Sequence, residues 1–299
     1  MRHDGHVPEL PEVEALVAFL GERTVGRAVT GVEIGAISAL KTFAPPPSAL
    51  VGQRVAHVVR HGKWLDVETV PGALHLVIHL AHSGWLRWHD VVPASALRPG
   101  HSPVALRVRL DDGSGFDVTE AGSYKRLALH VVNAPSEIRA VATLGVDPLS
   151  AEFTVDRLTE LLGTRRQQVK GLLRDQSMIA GIGNAYSDEI LHAARVSPFT
   201  PTTSFDTIRA SELHRTIVTV LQEAVDAAQG RPADELKDAK RRRMRVHGRT
   251  GQPCPGWDGV PCGDTVHEVA FADSSLQYCP TCQTGRRTLA DRRMSRLLR

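Results

Sequence analysis

The spacing of apolar and polar residues along this chain changes near its midpoint. A helical apolar stripe spans about residues 11–23. Short segments of β-branched and other apolar residues follow, separated by turn signals such as Asp111-Asp112-Gly113, and this pattern is typical of β-strands. Examples of the predicted strands are 28–34, 54–59, 63–68, 74–80, 104–110 and 127–132. This succession of short strands predicts a β-sandwich or a barrel.

Beyond residue 134 the apolar spacing becomes helical. The predicted helices cover 156–162, 167–174, 185–194 and 211–228, and a cysteine-containing tail follows. A chain of 299 residues is long enough for two domains and a small third module. We therefore predict an α+β protein with a β lobe over 1–134, a helical lobe over 135–245 and a cysteine module with a basic tail over 246–299.

Composition and charge indicate where the protein is located and what it binds. The sequence has no apolar run as long as a membrane span and no secretory signal pattern, which favours a cytoplasmic location without a membrane partner. Residues 237–249 carry a local charge of +6 and residues 285–299 a local charge of +5, although the whole chain is only +3. Two basic runs on an otherwise acidic body favour nucleic acid as the partner, the alternative being a solvated charged surface.

The four cysteines lie close together in sequence. They are Cys254, Cys262, Cys279 and Cys282. The Cys279-Pro280-Thr281-Cys282 turn is typical of one half of a tetrahedral zinc site, and cytosolic thiols are seldom paired as disulfides. We predict one structural zinc ion held by all four. Four unrelated reduced thiols are the alternative, and His267 is a possible substitute ligand.

A proline near the beginning of the chain is a candidate nucleophile. Pro8 stands in the segment Val7-Pro8-Glu9-Leu10-Pro11-Glu12-Val13-Glu14. At a free N-terminus its nitrogen is a secondary amine that can attack a sugar carbon and form a Schiff base, whereas inside a chain it is an amide. Translation from Val7 followed by removal of the initiator would expose it. The alternative is an ordinary helix start at Pro11 with acidic residues in the first turn.

Two further segments have candidate chemistry. Gly181 and Gly183 favour a tight turn before a helix whose first N–H groups, with Asn184, can bind a phosphate, and Lys170 lies one helix earlier. A plain helix hairpin is the alternative. Lys63 follows Gly62 in a predicted β-hairpin, where a surface charge is the commoner role of a lysine.

Together these segments resemble the formamidopyrimidine-DNA glycosylase/endonuclease VIII family of base-excision repair enzymes. The resemblance extends over nearly the whole chain, in the same order. It includes the segment from Pro8, the Gly62-Lys63 hairpin, the segment 144–149, the turn region 181–189, the segment 246–251 and the cysteine module.

The resemblance implies a β-sandwich lobe, a helical lobe with a helix–two-turn–helix motif, and a zinc finger, with damaged double-stranded DNA bound between the lobes. Pro8 is then the nucleophile of a bifunctional glycosylase and AP lyase that removes oxidised or ring-opened bases. Glu9 is the acid/base group, Glu12 a supporting carboxylate and Lys63 the phosphate contact that assists elimination. Asn184 and Lys170 hold the backbone of the damaged strand.

The chain departs from the family pattern at the residues that fill the gap left by the extruded base. His82 stands where some members have methionine, and Tyr124 with Lys125 or Arg126 replaces an arginine–phenylalanine wedge. A short basic segment, 234–245, replaces a lesion-capping loop. Ser274 occupies the position of a phosphate-binding arginine in the finger, and Arg286 or Arg287 is the candidate replacement. These changes leave the preferred lesion open.

Two other functions compete with this one. A damaged-DNA binding protein without catalysis follows if residues 1–7 are retained, because the Pro8 nitrogen is then an amide. A zinc-dependent transcription regulator is the third hypothesis, and it leaves Pro8-Glu9 unexplained. For the enzyme we expect a monomer associated with the nucleoid.

Overall fold

The computed structural model describes residues 7–98, 100, 102–121, 125–256, 259–271 and 274–290. The chain forms two compact units. One extends to Leu144 and includes Val225–Ala239, and the other consists of Gly145–Ala224 and the chain from Lys240 onward. Within the described ranges, no helix combines the length and the apolar character that crossing a membrane requires. The predicted domain boundaries at 134 and 245 stay predictions.

The first unit is built mainly from β-strands. Its regular elements are α1 (Leu10–Thr24), β1 (Val29–Ile34), β2 (Arg54–His61), β3 (Trp64–Val70), β4 (Leu74–His79), β5 (Gly84–His89), β6 (Val104–Leu110), β7 (Gly115–Glu120), β8 (Ala128–Val132) and α2 (Arg139–Ala142), with 3₁₀ turns at Ile37–Ala39, Pro47–Leu50 and Pro135–Glu137. The strands form two antiparallel four-stranded sheets, in the orders β1-β6-β7-β5 and β2-β3-β4-β8. The predicted β lobe is therefore a sandwich.

The core of this unit contains the inward faces of both sheets and one face of α1. Val13, Leu16 and Leu20 of α1 recur at helical spacing and are buried in the same cluster as Leu65 of β3 and Leu106 of β6. Burial of such aliphatic side chains stabilises the fold by about 1.5–3 kcal/mol each. Packing of this stripe against the sheets sets the direction of α1 and hence the place where Pro8 enters it.

The second unit combines helices with a small hairpin. Its chain contains α3 (Val155–Thr164), α4 (Val169–Arg174), α5 (Asn184–Ala193), most of α6 (Thr207–Ala228), the end of α7 (Leu236–Arg243), β9 (His267–Ala270), β10 (Ser275–Tyr278) and α8 (Pro280–Gln283), with a 3₁₀ turn at Thr202–Ser204. Strands β9 and β10 pair antiparallel. Helix α7 lies in the segment 234–245, which we expected to be a short basic replacement of a loop.

Candidate functional site

Pro8 lies immediately before a buried pair of carboxylates at the start of α1. Pro8 itself is buried, and Glu9 and Glu12 are 2% and 3% exposed. The Glu12 carboxylate accepts a hydrogen bond from the Glu9 N–H, with a distance of 2.9 Å between Oε2 and the nitrogen. Because Glu12 thereby binds an otherwise unsatisfied donor at the helix start, it fixes the backbone that follows Pro8.

Lys63 occupies the second position of the two-residue turn that joins β2 to β3. Gly62 at the first position has φ of 56°, as a turn of the II′ kind requires. Arg60 holds this turn: its Nη1 donates to the Gly62 carbonyl at 3.2 Å, and its Nε lies 2.5 Å from Oε2 of Glu14 in α1. The half-buried Lys63 is therefore on a turn whose position is tied to the first helix.

Strand register brings three candidate residues to one end of the same sheet. His61 pairs with Trp64, Trp64 with His79, and His79 with Ala128. The Gly62-Lys63 turn, the segment 80–83 and the segment preceding β8 therefore share one end of the sandwich. Lys63, His82 and Arg126 lie on these three segments. The side chains of His82 and Arg126 are exposed, and Tyr124 lies outside the described residues.

The segment that carries Arg126 is held from behind by Glu120. The Glu120 Oε1 accepts the backbone N–H groups of Arg126 at 2.6 Å and of Leu127 at 2.8 Å, and its main-chain carbonyl accepts from Lys125 Nζ at 2.6 Å. Glu120 is 3% exposed. A buried carboxylate thus fixes the backbone while the Arg126 side chain stays available to solvent.

His79 belongs to this end of the sheet, and sequence analysis missed it. Its ring lies 4.6 Å from the ring of Trp64. Burial, together with the positive charges of Lys63 and His82, lowers the pKa of His79 to about 4, so the imidazole is neutral near pH 7. It lies one residue before the end of the predicted strand 74–80, and this was the available signal, since strand ends position functional side chains.

In the second unit, the loop between α4 and α5 pairs with the segment 144–149. The Gly145 N–H donates to the Gln176 carbonyl at 2.8 Å, and the Ala180 N–H donates to the Val146 carbonyl at 2.9 Å. A Cβ on residue 145 would lie 2.2 Å from the Met178 carbonyl oxygen. Glycine is therefore required at 145 for the loop to approach, which explains this part of the motif.

Lys170 has a different environment from the predicted one. It is 5% exposed, and its Nζ donates to Asp188 Oδ1 at 2.6 Å, Ser187 Oγ at 2.7 Å and the Asn184 carbonyl at 3.2 Å. We predicted that Lys170 contacts the DNA backbone, but its ammonium is turned inward because the buried Asp188 carboxylate needs a cation. In this structure Lys170 joins α4 to α5.

Helix α5 also holds the segment that follows α7. Asp188 Oδ2 lies 2.8 Å from His247 Nδ1. The Glu189 carboxylate accepts three backbone N–H groups, from Arg245 at 2.8 Å, Val246 at 3.0 Å and His247 at 2.9 Å. Burial raises the pKa of Glu189, and the three donors oppose that rise by favouring the charged form. Sequence analysis placed Asp188 and Glu189 in a motif without assigning these contacts.

Asn184 lies in the first turn of α5, directly after the N-cap residue Gly183. Its Nδ2 donates to the Ser275 carbonyl of β10 at 2.7 Å, and its Oδ1 has no hydrogen-bond partner among the described residues. The N-terminus of α5 is thus held beside the cysteine module, as a helix start must be to offer ordered N–H groups to an anion. Arg286 is exposed, and its own N–H donates to the Pro280 carbonyl at 3.0 Å.

The four cysteine sulfurs converge. They all lie within 4.8 Å of one another, with 3.9 Å between Cys254 and Cys282 and 3.5 Å between Cys262 and Cys279. A tetrahedral zinc ion with Zn–S bonds of about 2.3 Å requires sulfurs about 3.8 Å apart, so the donor set fits this metal. His267 is not part of this group and instead packs edge-on against Tyr278.

Comparison with known proteins gives the family. Residues 7–122 match the formamidopyrimidine-DNA glycosylase N-terminal domain, and residues 144–234 match the formamidopyrimidine-DNA glycosylase H2TH domain. An uncharacterised formamidopyrimidine-DNA glycosylase-like protein of Mycobacterium tuberculosis is 51% identical over 52% of this chain and 94% of its own length. The formamidopyrimidine-DNA glycosylase of Chloroflexus aurantiacus is 34% identical over 93% of this chain and 98% of its own length.

Solved structures agree with this assignment. The Fpg protein of Thermus thermophilus is 29% identical, with a TM-score of 0.77 over 94% of this chain and 100% of its own. A Lactococcus lactis Fpg mutant crystallised with DNA containing Fapy-dG is 26% identical, with a TM-score of 0.78 over 93% of this chain and 100% of its own. The chain belongs to the formamidopyrimidine-DNA glycosylase family and is a glycosylase-like enzyme of base-excision repair.

Proposed function

We propose that this protein is a bifunctional DNA glycosylase and AP lyase whose nucleophile is the Pro8 nitrogen. The observation that carries the proposal is the placement of Pro8 directly before the buried Glu9 and Glu12 carboxylates, on a helix tied through Arg60 to the Lys63 turn. The domain match that begins at residue 7 supports it. Residues 1–7 must be absent from the active form, because only then is the Pro8 nitrogen a secondary amine.

In the first chemical step the Pro8 nitrogen attacks C1′ of the damaged nucleotide. Its lone pair forms the new N–C1′ bond, the glycosidic bond breaks, and the base leaves with the bonding electrons and takes up a proton. Glu9 is the acid/base group beside the sugar, and its burial keeps water from competing for the proton. Opening of the sugar ring gives an iminium ion between Pro8 and C1′.

Strand cleavage follows from the same iminium. Its positive charge acidifies the C2′ proton, and removal of that proton leaves electrons that expel the 3′ phosphate. Lys63 neutralises the charge of the adjacent phosphate as it leaves. Hydrolysis of the conjugated iminium then returns the free Pro8 amine. The balance of this sequence needs water and no external oxidant or reductant.

DNA binding is assigned to the end of the sandwich that carries Lys63, His82 and Arg126, and to Asn184 and Arg286 in the second unit. Tyr124 is a further candidate wedge. Extrusion of a damaged nucleotide costs a few kcal/mol, and less for a weakly paired lesion. His82 and Arg126 are exposed, so they are available to fill the space that the nucleotide leaves. For Lys170 we now propose an indirect role, in holding α5 rather than touching phosphate.

The cysteine cluster is proposed to hold one structural zinc ion. Its four thiolates would complete the coordination sphere and leave no position for a reacting water, so the metal contributes to folding and not to the chemical step. Cys254, Cys262, Cys279 and Cys282 supply the ligands. Binding of this ion would stabilise the hairpin of β9 and β10, to which Asn184 is hydrogen bonded.

The substrate is proposed to be an oxidised or ring-opened base in duplex DNA, because curated relatives are named formamidopyrimidine-DNA glycosylases. A panel of duplexes, each with one defined lesion, tests this class. The panel contains a formamidopyrimidine, 8-oxoguanine, an oxidised pyrimidine and an abasic site. Excision of none of the damaged bases by protein beginning at Pro8 contradicts the glycosylase half of the proposal.

Borohydride trapping on an abasic duplex tests the nucleophile. Protein that begins at Pro8 should form a covalent adduct and nick the strand. Protein that retains Val7 should bind the same duplex without either product, since its Pro8 nitrogen is acylated. A Pro8→Gly variant should lose most of the adduct, and peptide mapping should place the wild-type adduct on Pro8. An equal adduct with Val7 retained refutes the mechanism and leaves damaged-DNA binding without this chemistry as the function.

A further inference from the structure

The last turn of α5 places a histidine against the cysteine cluster. His192 is 0% exposed, and its Nε2 lies 3.3 Å from the sulfur of Cys254. The Gly256 N–H reaches the same sulfur at 3.4 Å. Cys254 is thus the cysteine that receives one donor from its own loop and one from a distant helix.

We propose that His192 donates a hydrogen bond to the metal-bound thiolate of Cys254 and thereby couples metal occupancy to the position of α5. A zinc ion with four thiolates carries a net negative charge, so N–H donors to the sulfurs stabilise the complex. Removal of a group that orients and polarises a metal ligand in this way typically lowers the metal affinity by about 10–100-fold. The inference rests on the proposed zinc centre and not on the Pro8 chemistry.

The second nitrogen of the ring agrees with this assignment. His192 Nδ1 is buried and has no hydrogen-bond partner among the residues that the structure describes. A thiolate accepts a hydrogen bond and cannot donate one, so the neutral ring must have its proton on Nε2. Nδ1 then carries a lone pair, which is less costly to leave without a partner than a second buried N–H.

The contact has a consequence for DNA binding because α5 is attached to the cysteine module at both ends. At its start, Asn184 Nδ2 donates to the Ser275 carbonyl, and at its end His192 meets Cys254. Without the metal, the Cys254 sulfur is no longer joined to the other three sulfurs through a common ion, so the atom that meets His192 loses its fixed position. Metal loss should therefore weaken the attachment of the helix whose first turn is the proposed phosphate site.

Two substitutions of similar size separate the hydrogen bond from packing. His192→Gln keeps an N–H donor at nearly the same length, whereas His192→Met fills the space with none. His214→Met is the matched control, because His214 is a partly buried histidine of α6 that bonds the Phe153 carbonyl and not a cysteine. Each full-length protein is loaded with zinc, and the transfer of zinc to a chromophoric chelator gives its zinc affinity. The cobalt-thiolate absorption is measured separately, on cobalt-substituted samples.

We expect zinc affinity to fall by about 10–100-fold in His192→Met and to recover largely in His192→Gln, with His214→Met unchanged. The cobalt-thiolate band should shift in the Met variant only. Equal losses in both His192 variants, including failure of both to fold, would show that packing matters and would overturn the inference. Unchanged affinity in the Met variant would overturn it as well.

The same measurement separates this inference from the function proposed above. If wild-type protein binds no zinc, the zinc centre itself is wrong. If wild-type protein binds zinc and the His192 variants match it, only the inference fails. Coupling is tested by measuring the affinity for an abasic duplex with and without zinc. The affinity of the zinc-loaded protein divided by that of the zinc-free protein should be smaller in His192→Met than in His192→Gln. Equal ratios contradict the coupling.

Discussion

Replacing Glu189 with glutamine changes one atom in the contact that holds the segment 245–247. In the native protein Glu189 Oε2 accepts from the Arg245 N–H, while Oε1 accepts from the N–H groups of Val246 and His247. A glutamine in the same place keeps one oxygen. Its amide NH₂ must then face a backbone N–H, so at least one buried donor loses its partner.

The magnitude follows from these three bonds. A hydrogen bond to a charged acceptor is worth about 1.5–3 kcal/mol and one to a neutral acceptor about 0.5–1.5 kcal/mol, and an orphaned buried donor costs about 1–3 kcal/mol. Part of this loss is offset because burial of the charged carboxylate, which raises the pKa of Glu189, is no longer required. We expect Glu189→Gln to lower the free energy of unfolding by about 2–3 kcal/mol.

Urea unfolding measures the change, and binding to an abasic duplex at fixed salt measures its effect on DNA affinity. Glu223→Gln is the matched control, because Glu223 is an exposed glutamate of α6 in the same unit. The control should change stability by less than about 0.5 kcal/mol. If Glu189→Gln is as stable as the control, the three bonds do not hold this segment and the reasoning is refuted.

Three other predictions follow from buried contacts. The pKa of His79 falls from 6.5 to about 4 on folding, so the folded state is favoured while this histidine is neutral, above pH 6.5. The free energy of unfolding should therefore fall by about 2 kcal/mol as the pH is lowered from about 7.5 to about 5. His79→Gln should not show this loss. Gly145→Ala should cost about 1–3 kcal/mol and weaken DNA binding, since its Cβ meets the Met178 carbonyl. Asp117→Asn should cost about 3–5 kcal/mol, because it weakens the two bonds that balance the buried Arg107.

Each of these three has a control on the same unit. His57→Gln alters an exposed histidine of β2, and Asp111→Asn alters an exposed aspartate of a turn. Gly163→Ala adds a Cβ in a helix where no atom lies within 4 Å, and it should stabilise the protein slightly. Urea unfolding at several pH values measures all of them. If the pH dependence of stability is unchanged in His79→Gln, or if a variant is as stable as its control, the corresponding argument is contradicted.

The sequence predicted much of the fold because apolar spacing dominates its regular elements. Helix α1 and six strands were predicted within a few residues of where they occur. Strands β5 and β7 were not among those predicted strands, and the burial of Asp117 within β7 depends on its bonds to Arg107 and His89, which no local pattern contains. Helix α7 was missed because its residues are mostly basic and show no apolar stripe.

The stability of α7 comes from contacts that no local pattern contains. Lys237 lies over the Trp85 ring at 4.4 Å, and Trp85 Nε1 donates to the Ala233 carbonyl at 2.8 Å. Lys240 lies 4.8 Å from the centre of the Tyr186 ring. A cation against an aromatic face contributes about 0.5–2 kcal/mol, and the partner ring is far away in sequence. From residue type alone, these lysines are expected to be exposed to solvent or to contact DNA.

The same limit explains Lys170. A lysine next to a predicted phosphate-binding turn is equally compatible with an exposed contact and with an internal ion pair, and Asp188 is what decides between them. The cysteine cluster was easier to predict because its ligands are close in sequence and share one chemistry. Contacts within a motif can be read from spacing, whereas contacts between motifs depend on how the helices pack.

Helix α5 is where these contacts between motifs meet. A helix of ten residues is marginal alone, so its orientation is set by the groups that bind it. Lys170, the segment 245–247, β10 and Cys254 each bind a different part of it. A phosphate site at its first turn is therefore as rigid as the weakest of these attachments. This is why substitutions at buried positions of α5 should reduce DNA affinity more than substitutions of exposed arginines that merely add charge.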